Sequence, residues 1–91
     1  MTVRLAQVGL GYWGPNLARN LATVEGGELA ILCDADTSRL ERMARQLPGP
    51  RLVTDFADVL ADDTIDGIVV ATPVETHFRL TKAALEAGKH V

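Results

Sequence analysis

Three glycines spaced Gly9-x-Gly11-x-x-Gly14 separate an apolar run from an amphipathic one, and no other feature narrows the fold of this chain as far. Each position has a physical reason. Gly9 permits a tight turn out of a strand. Gly11 has no Cβ, so a phosphate can approach the backbone. Gly14 lets the next helix pack closely against a sheet. That helix would point its unpaired N–H groups and the positive end of its dipole at the phosphates. Asp34 follows twenty positions after Gly14, at the end of the next apolar run. A carboxylate there accepts hydrogen bonds from ribose hydroxyls, so the motif and the acid together predict a dinucleotide site.

The rest of the chain supplies the elements such a site needs. Val3–Val8 reads as the first strand. Pro15 to about Val24 reads as a helix with Leu17, Leu21 and Val24 on one face, its proline tolerated in the first turn. Glu28–Cys33 is the second strand. Ser38–Leu47 is the second helix, with Leu40, Met43, Ala44 and Leu47 inward and Ser38 and Glu41 at capping-box spacing. Pro48-Gly49-Pro50 breaks the chain before a short strand at Arg51–Thr54. Asp55 is expected to cap a short helix to about Ala61.

Ile68–Ala71 is a continuous apolar run, as in a central parallel strand covered on both faces. Thr72-Pro73 stops it. Glu75–Ala87 reads as the last helix, with Leu80, Ala83, Ala84 and Ala87 buried and Gly88 as its stop. Lys89-His90-Val91 begins a fifth strand. Strands alternating with helices imply a parallel sheet with right-handed crossovers, in the order 3-2-1-4 with the fifth beyond the fourth. The expectation is one α/β unit over residues 1–91, a Rossmann-type doubly wound parallel sheet that stops after the start of its fifth strand. Its crevice opens between strands 1 and 4.

Composition excludes other classes. Nine Lys and Arg against 12 Asp and Glu give a net charge of −3, which offers no basic surface for nucleic acid. No apolar stretch approaches the roughly 20 residues that cross a bilayer, and no leader is visible before the first strand. With 47% hydrophobic residues the chain has an ordinary globular balance. The single Cys33 lies in an apolar strand and reads as a buried, inert thiol. A reducing, cytoplasmic setting fits this usage. No Cys/His cluster has metal spacing, and no Ser/His/Asp arrangement stands out.

The candidate site residues follow from position. Tyr12 and Trp13 lie in the glycine turn and would offer their backbone N–H groups; the Trp13 ring either packs or lines the crevice. Asp34 attracts a free 2′-hydroxyl and repels a 2′-phosphate, which predicts NAD over NADP. Arg39 can take a 2′-phosphate or stack on adenine, and stacking is favoured beside Asp34. Asp36 reads as a helix-start residue. Thr72, Pro73 and Val74, after the fourth strand, would face the nicotinamide ribose. His77 follows on the same side, as a structural hydrogen-bonder or, more weakly, a catalytic acid. Glu25, Glu28, Asp62 and Asp63 read as solvated surface.

The runs VGLGYWGPNLARNL, CDADTSRL and VVATPVETHFRLTKAALEAGKHV resemble the N-terminal domain of the glucose–fructose oxidoreductase / inositol dehydrogenase family (Gfo/Idh/MocA), over essentially the whole chain. The resemblance implies an NAD(P)-dependent oxidoreductase that moves a hydride between nicotinamide and a sugar, cyclitol or related alcohol. It implies that Gly9, Gly11, Tyr12, Trp13 and Gly14 hold the pyrophosphate, Asp34 the adenosine ribose and Arg39 the adenine side. Thr72, Pro73 and His77 would line the nicotinamide end. The Tyr12–Asn16 stretch is similar to members that oxidise nucleotide-linked sugars.

Such members continue into a Glu-Lys-Pro motif with a catalytic Lys, and into a second α/β domain that shapes the substrate pocket and the oligomer interface. No residue here matches that Lys: Lys89 precedes the last strand and Lys82 is mid-helix. The expectation is the cofactor-binding portion of such an enzyme, not catalytically competent alone, with the sugar-like substrate and a possible homo-oligomer depending on the missing part. The alternatives are a free-standing NAD-binding regulatory module and a module that keeps only the fold.

Overall fold

A computed structural model of the protein describes residues 2–91. Four strands, β1 (Val3–Val8), β2 (Gly27–Cys33), β3 (Arg51–Val53) and β4 (Gly67–Val70), form one parallel sheet in the order β3-β2-β1-β4. Helices α1 (Gly14–Leu21), α2 (Thr37–Gln46), α3 (Phe56–Ala61) and α4 (His77–Glu86) follow the strands in turn. The expected order is therefore present, and it reverses between β1 and β4. The start of the fifth strand appears as a single parallel bridge between Gly67 and His90.

The sheet buries both faces. Ala6, Val8, Ile31, Cys33 and Ile68 pack with Val59 of α3 and with Leu80 and Ala84 of α4. Leu29 and Leu32 pack on the other face with Ala18 of α1 and with Leu40 and Met43 of α2. The pairing of β1 with β2 slips by one residue after Leu5, where Ala30 is extra. Ala30 and Ile31 consequently pack on the same side.

Several elements differ from expectation for local reasons. Helix α1 ends at Leu21, not Val24, and buries Gly14 and Ala18. Of the expected stripe Leu21 packs against the core, while Leu17 and Val24 stand 39% and 47% exposed. Small residues let α1 approach the sheet more closely than leucines could.

Helix α2 starts at Thr37. Its cap is Asp36, whose Oδ1 accepts from the Ser38 N–H at 2.9 Å and from the Ser38 hydroxyl at 2.6 Å. Ser38 is thus inside the helix and no capping box forms from it. The last predicted helix is two pieces, a 3₁₀ turn at Val74–Thr76 and then α4. Thr76 bonds back to the Pro73 carbonyl through both its N–H (2.9 Å) and its hydroxyl (2.7 Å), which tightens that turn. Ala87 lies outside the helix and is exposed.

Helix α4 closes as foreseen at Gly88, whose φ is +81°. Gly88 N–H donates to Leu85 O (3.0 Å) and Lys89 N–H to Ala84 O (3.1 Å), the paired bonds of a Schellman motif. Strand β4 runs Gly67–Val70 rather than Ile68–Ala71. Its Val69 and Val70 are only half-buried, and β4 lies at one edge of the sheet rather than at its centre.

Candidate functional site

The glycine turn is built as its spacing foretold, with each glycine serving differently. Gly9 has φ +103°, a backbone conformation that side chains rarely adopt. A Cβ there would fall 2.6 Å from the carbonyl carbon and oxygen of Ala71. Gly14 lies beneath the turn, where a Cβ would meet Gly9 O at 2.6 Å. Gly11 is the exception: its φ is ordinary, and a Cβ would have only the Arg39 guanidinium, at 4.0 Å, for a neighbour. Packing does not require glycine at position 11, which faces open space.

The start of α1 is left free for a ligand. Trp13 is its N-cap residue and makes no side-chain cap, and the first turn holds no acid. Among the described residues, the N–H groups of Gly11, Tyr12 and Trp13 make no backbone hydrogen bond. Unpaired amides at a helix N-terminus suit an anion.

Asp34 closes the other side of the turn. Its side chain is 9% exposed. Oδ2 accepts from Leu10 N–H and Oδ1 from Asp36 N–H, both at 2.8 Å. Each oxygen keeps a further lone pair for a hydroxyl. The Arg39 guanidinium lies 3.8 Å from Asp34 and 3.7 Å from Asp36, half in solvent. Serine-38 hydrogen bonds hold the Asp36 carboxyl below its ordinary pKa, with Arg39 adding a smaller contribution. Asp36 is spent as a cap, in keeping with its sequence reading.

A cleft of about 620 Å³ opens over these groups at the C-terminal ends of the strands. Gly9, Gly11, Tyr12, Trp13, Asp34 and Arg39 border it from one side, Thr72 and Pro73 from the other. Gly14 and His77 do not line it. The His77 ring Nε2 pairs with Thr72 O at 2.8 Å and pins the loop after β4. Thr72 and Thr76 hydroxyls meet at 2.6 Å in the same loop.

The cleft also takes in Thr54, Phe56 and Arg79, which the sequence reading did not select. Phe56 is the first residue of α3 and Arg79 the third of α4, where no motif marks them. Cys33 forms part of the floor at 2% exposure. Burial, with Asp34 adding to it, raises its pKa to about 11, so the thiol stays protonated at neutral pH and is no nucleophile. The Tyr12 and Trp13 rings stand 86% and 68% exposed and meet edge to face. Trp13 borders the cleft and is not core packing.

Two buried polar side chains were not anticipated. Gln7 is fully buried in β1. Its Nε2 donates to Gly14 O at 2.7 Å and to Gly9 O at 3.1 Å. Its Oε1 is buried with no partner, a desolvation cost of about 1–3 kcal/mol that the two donated bonds must offset. Lys89, 7% exposed, donates from Nζ to Asp62 O (2.9 Å) and Ile65 O (3.1 Å). It ties the chain after α4 to the loop before β4. Asp62, read as plain surface, organises that loop by accepting from the Thr64 N–H and hydroxyl.

Among the described residues no group of His, Cys, Asp or Glu could hold a metal ion, and no helix is long and apolar enough to cross a membrane.

Known proteins are similar to this chain in sequence and fold. An inositol 2-dehydrogenase of Rhodococcus jostii is 36% identical over 90 residues, covering 98% of this chain and 25% of its own length. An uncharacterized oxidoreductase of Escherichia coli, YdgJ, is 38% identical over 98% of this chain and 25% of its own length. The structure of scyllo-inositol dehydrogenase from Lactobacillus casei, with NAD(H) and scyllo-inositol bound, superposes with a TM-score of 0.91 at 29% identity. It covers all of this chain and 27% of that one. This chain thus spans about a quarter of the length of the relatives it matches. The profile of the Gfo/Idh/MocA oxidoreductase family, described as an NAD-binding Rossmann fold, matches residues 3–91, and the chain belongs to that family.

Proposed function

We propose that this chain is the cofactor-binding unit of an NAD-dependent oxidoreductase acting on a cyclitol, sugar or nucleotide-linked sugar. The observation that carries the binding reading is Gly11: the one glycine of the motif that packing does not require faces the open cleft. Free amides from Gly11 to Trp13 and the α1 N-terminus suit the pyrophosphate. The spare lone pairs of Asp34 suit the adenosine ribose, and the half-exposed Arg39 suits the adenine face. Thr72 and Pro73 stand where the nicotinamide ribose would lie, with His77 holding their loop rather than acting on substrate. When bound, the nicotinamide supplies the hydride acceptor or donor.

The negative charge of Asp34 disfavours a 2′-phosphate, so NAD is the preferred form. A cytoplasmic, homo-oligomeric enzyme whose substrate pocket lies on a further domain completes the reading. A second reading is NAD binding without chemistry on this chain itself: among the described residues no Lys or His borders the cleft to exchange a proton during hydride transfer.

Calorimetry of the chain with NAD and NADP tests the binding, with Gly11→Val and Asp34→Ala alongside. NAD should bind more tightly than NADP. Gly11→Val should abolish binding while leaving the melting temperature within a few degrees. Asp34→Ala should weaken NAD about tenfold, the loss of a charge-assisted bond. A folded chain that takes up neither nucleotide would sink the proposal.

A further inference from the structure

The Gly9–Leu10 peptide unit is held at both ends. Its carbonyl accepts from the buried Gln7 Nε2 at 3.1 Å, and its N–H donates to Asp34 Oδ2 at 2.8 Å. The same Gln7 Nε2 takes Gly14 O at 2.7 Å. One amide group therefore joins the first and last glycines of the motif, and one carboxylate grips the peptide from the opposite direction. The segment between them, Gly11 to Trp13, is the part whose N–H groups are free.

We propose that Gln7 is a positioning residue for dinucleotide binding, acting through this shared peptide on both the phosphate-facing turn and Asp34. The inference rests on the cofactor-binding reading above and gives it a mechanism. Asp34 has two tasks, holding Leu10 N–H and receiving a ribose. Its Oδ2 stays in line for both only while the Gly9–Leu10 peptide keeps its plane. Asp34 restrains that peptide at its N–H alone, and Gly9, at φ +103°, has the backbone freedom for the carbonyl end to turn. The Gln7 bond to the carbonyl blocks that turn.

The unpartnered Oε1 supports this assignment. Ala6 and Val8 on either side are apolar core residues, and an apolar side chain at position 7 would leave no orphaned oxygen. It would also take from Gly9 O and Gly14 O the side-chain donor that each now has. The amide is thus fitted to the turn rather than to the surrounding core.

Gln7→Met keeps the length and removes the donor. Three chains, Gln7→Met, Asp34→Ala and the double variant, are compared with the parent for NAD affinity by calorimetry and for Leu10 amide exchange by NMR. Gln7→Met should weaken NAD about tenfold and speed Leu10 exchange at least tenfold. The double variant should bind more weakly than Asp34→Ala alone but by less than the two single losses combined, since Gln7 still holds the turn when Asp34 is gone and only its effect through Asp34 is lost. Losses that simply add, or a Gln7→Met affinity within twofold of the parent, overturn the proposal.

A second measurement needs no variant of Gln7. In the parent its side-chain NH₂ should exchange slowly, and its resonances should shift in Asp34→Ala; free exchange of that NH₂ overturns the clamp even if Gln7→Met fails to fold. If the parent binds no NAD, the function reading falls, while the exchange rates still decide the clamp.

Discussion

At Gly9 the methyl group of an alanine would sit 2.6 Å from two backbone atoms of Ala71 and 2.8 Å from Thr72 N, at a φ of +103°. None of these atoms belongs to a side chain that could swing away. Strain at the left-handed backbone and overpacking against the segment just after β4 together cost about 3 kcal/mol or more. Gly9→Ala should lower the melting temperature by more than about 10 °C, whereas Gly11→Val should not. Equal melting temperatures for the two would refute the division of labour among the glycines. Asp34 and the glycines were legible in the sequence because their spacing reports a geometry. Gln7 was not: in VRLAQV a polar residue in alternation reads as solvent-facing, and only the turn folded over it makes it buried. Lys89 escaped for a related reason, since its partners are backbone carbonyls 24 and 27 residues away, to which no side-chain pattern points.

Among the elements, α2 and α3 take their start from an aspartate. Asp36 accepts from Ser38 N–H and Asp55 from Ala57 N–H, each at 2.9 Å. Asp55→Ala should cost about 1 kcal/mol, a fall in melting temperature of roughly 5 °C. Asp36 and Asp62 contribute a pH dependence. Both carboxyls titrate below their usual value of 3.8, first through hydrogen bonds from Ser38 and Thr64. A lowered folded pKa stabilises the fold above the unfolded value and is lost as pH falls through the folded one. Thermal melts should therefore be flat from pH 7 to about 5 and decline below about 4. A melting temperature that rises on acidification would contradict this. Helix α2 could be read residue by residue, because its large apolar side chains recur at helical spacing and do face the sheet. Helix α1 was legible only in part: Gly14 and Leu21 take the places their spacing suggests, whereas Ala18 carries almost no hydrophobic signal and Leu17 and Val24 stay exposed.

Over the whole molecule, the order β3-β2-β1-β4 was readable from strand–helix alternation and crossover handedness alone. The surface was less so. Val74, Phe78 and Leu85 stand 77%, 79% and 58% exposed along the 3₁₀ turn and α4, and Tyr12 and Trp13 project beside the cleft. A periodic helix says which side is apolar and not whether anything covers it. Uncovered apolar faces of this kind promote association. In sedimentation experiments the mean mass of the chain should climb with concentration, and Phe78→Glu should reduce that climb; a constant 9.8 kDa species would count against it. The central place of β1 has a further effect. Leu5 pairs with Leu29 on one side and with Gly67 on the other. At roughly 5–20 residues per second of synthesis, the first strand made waits on the order of 3–12 s for its second neighbour to exist. During that interval its far edge is open to other chains. How quickly the ribosome moves through residues 30–67 should thus bear on how much of the protein reaches this sheet rather than an aggregate.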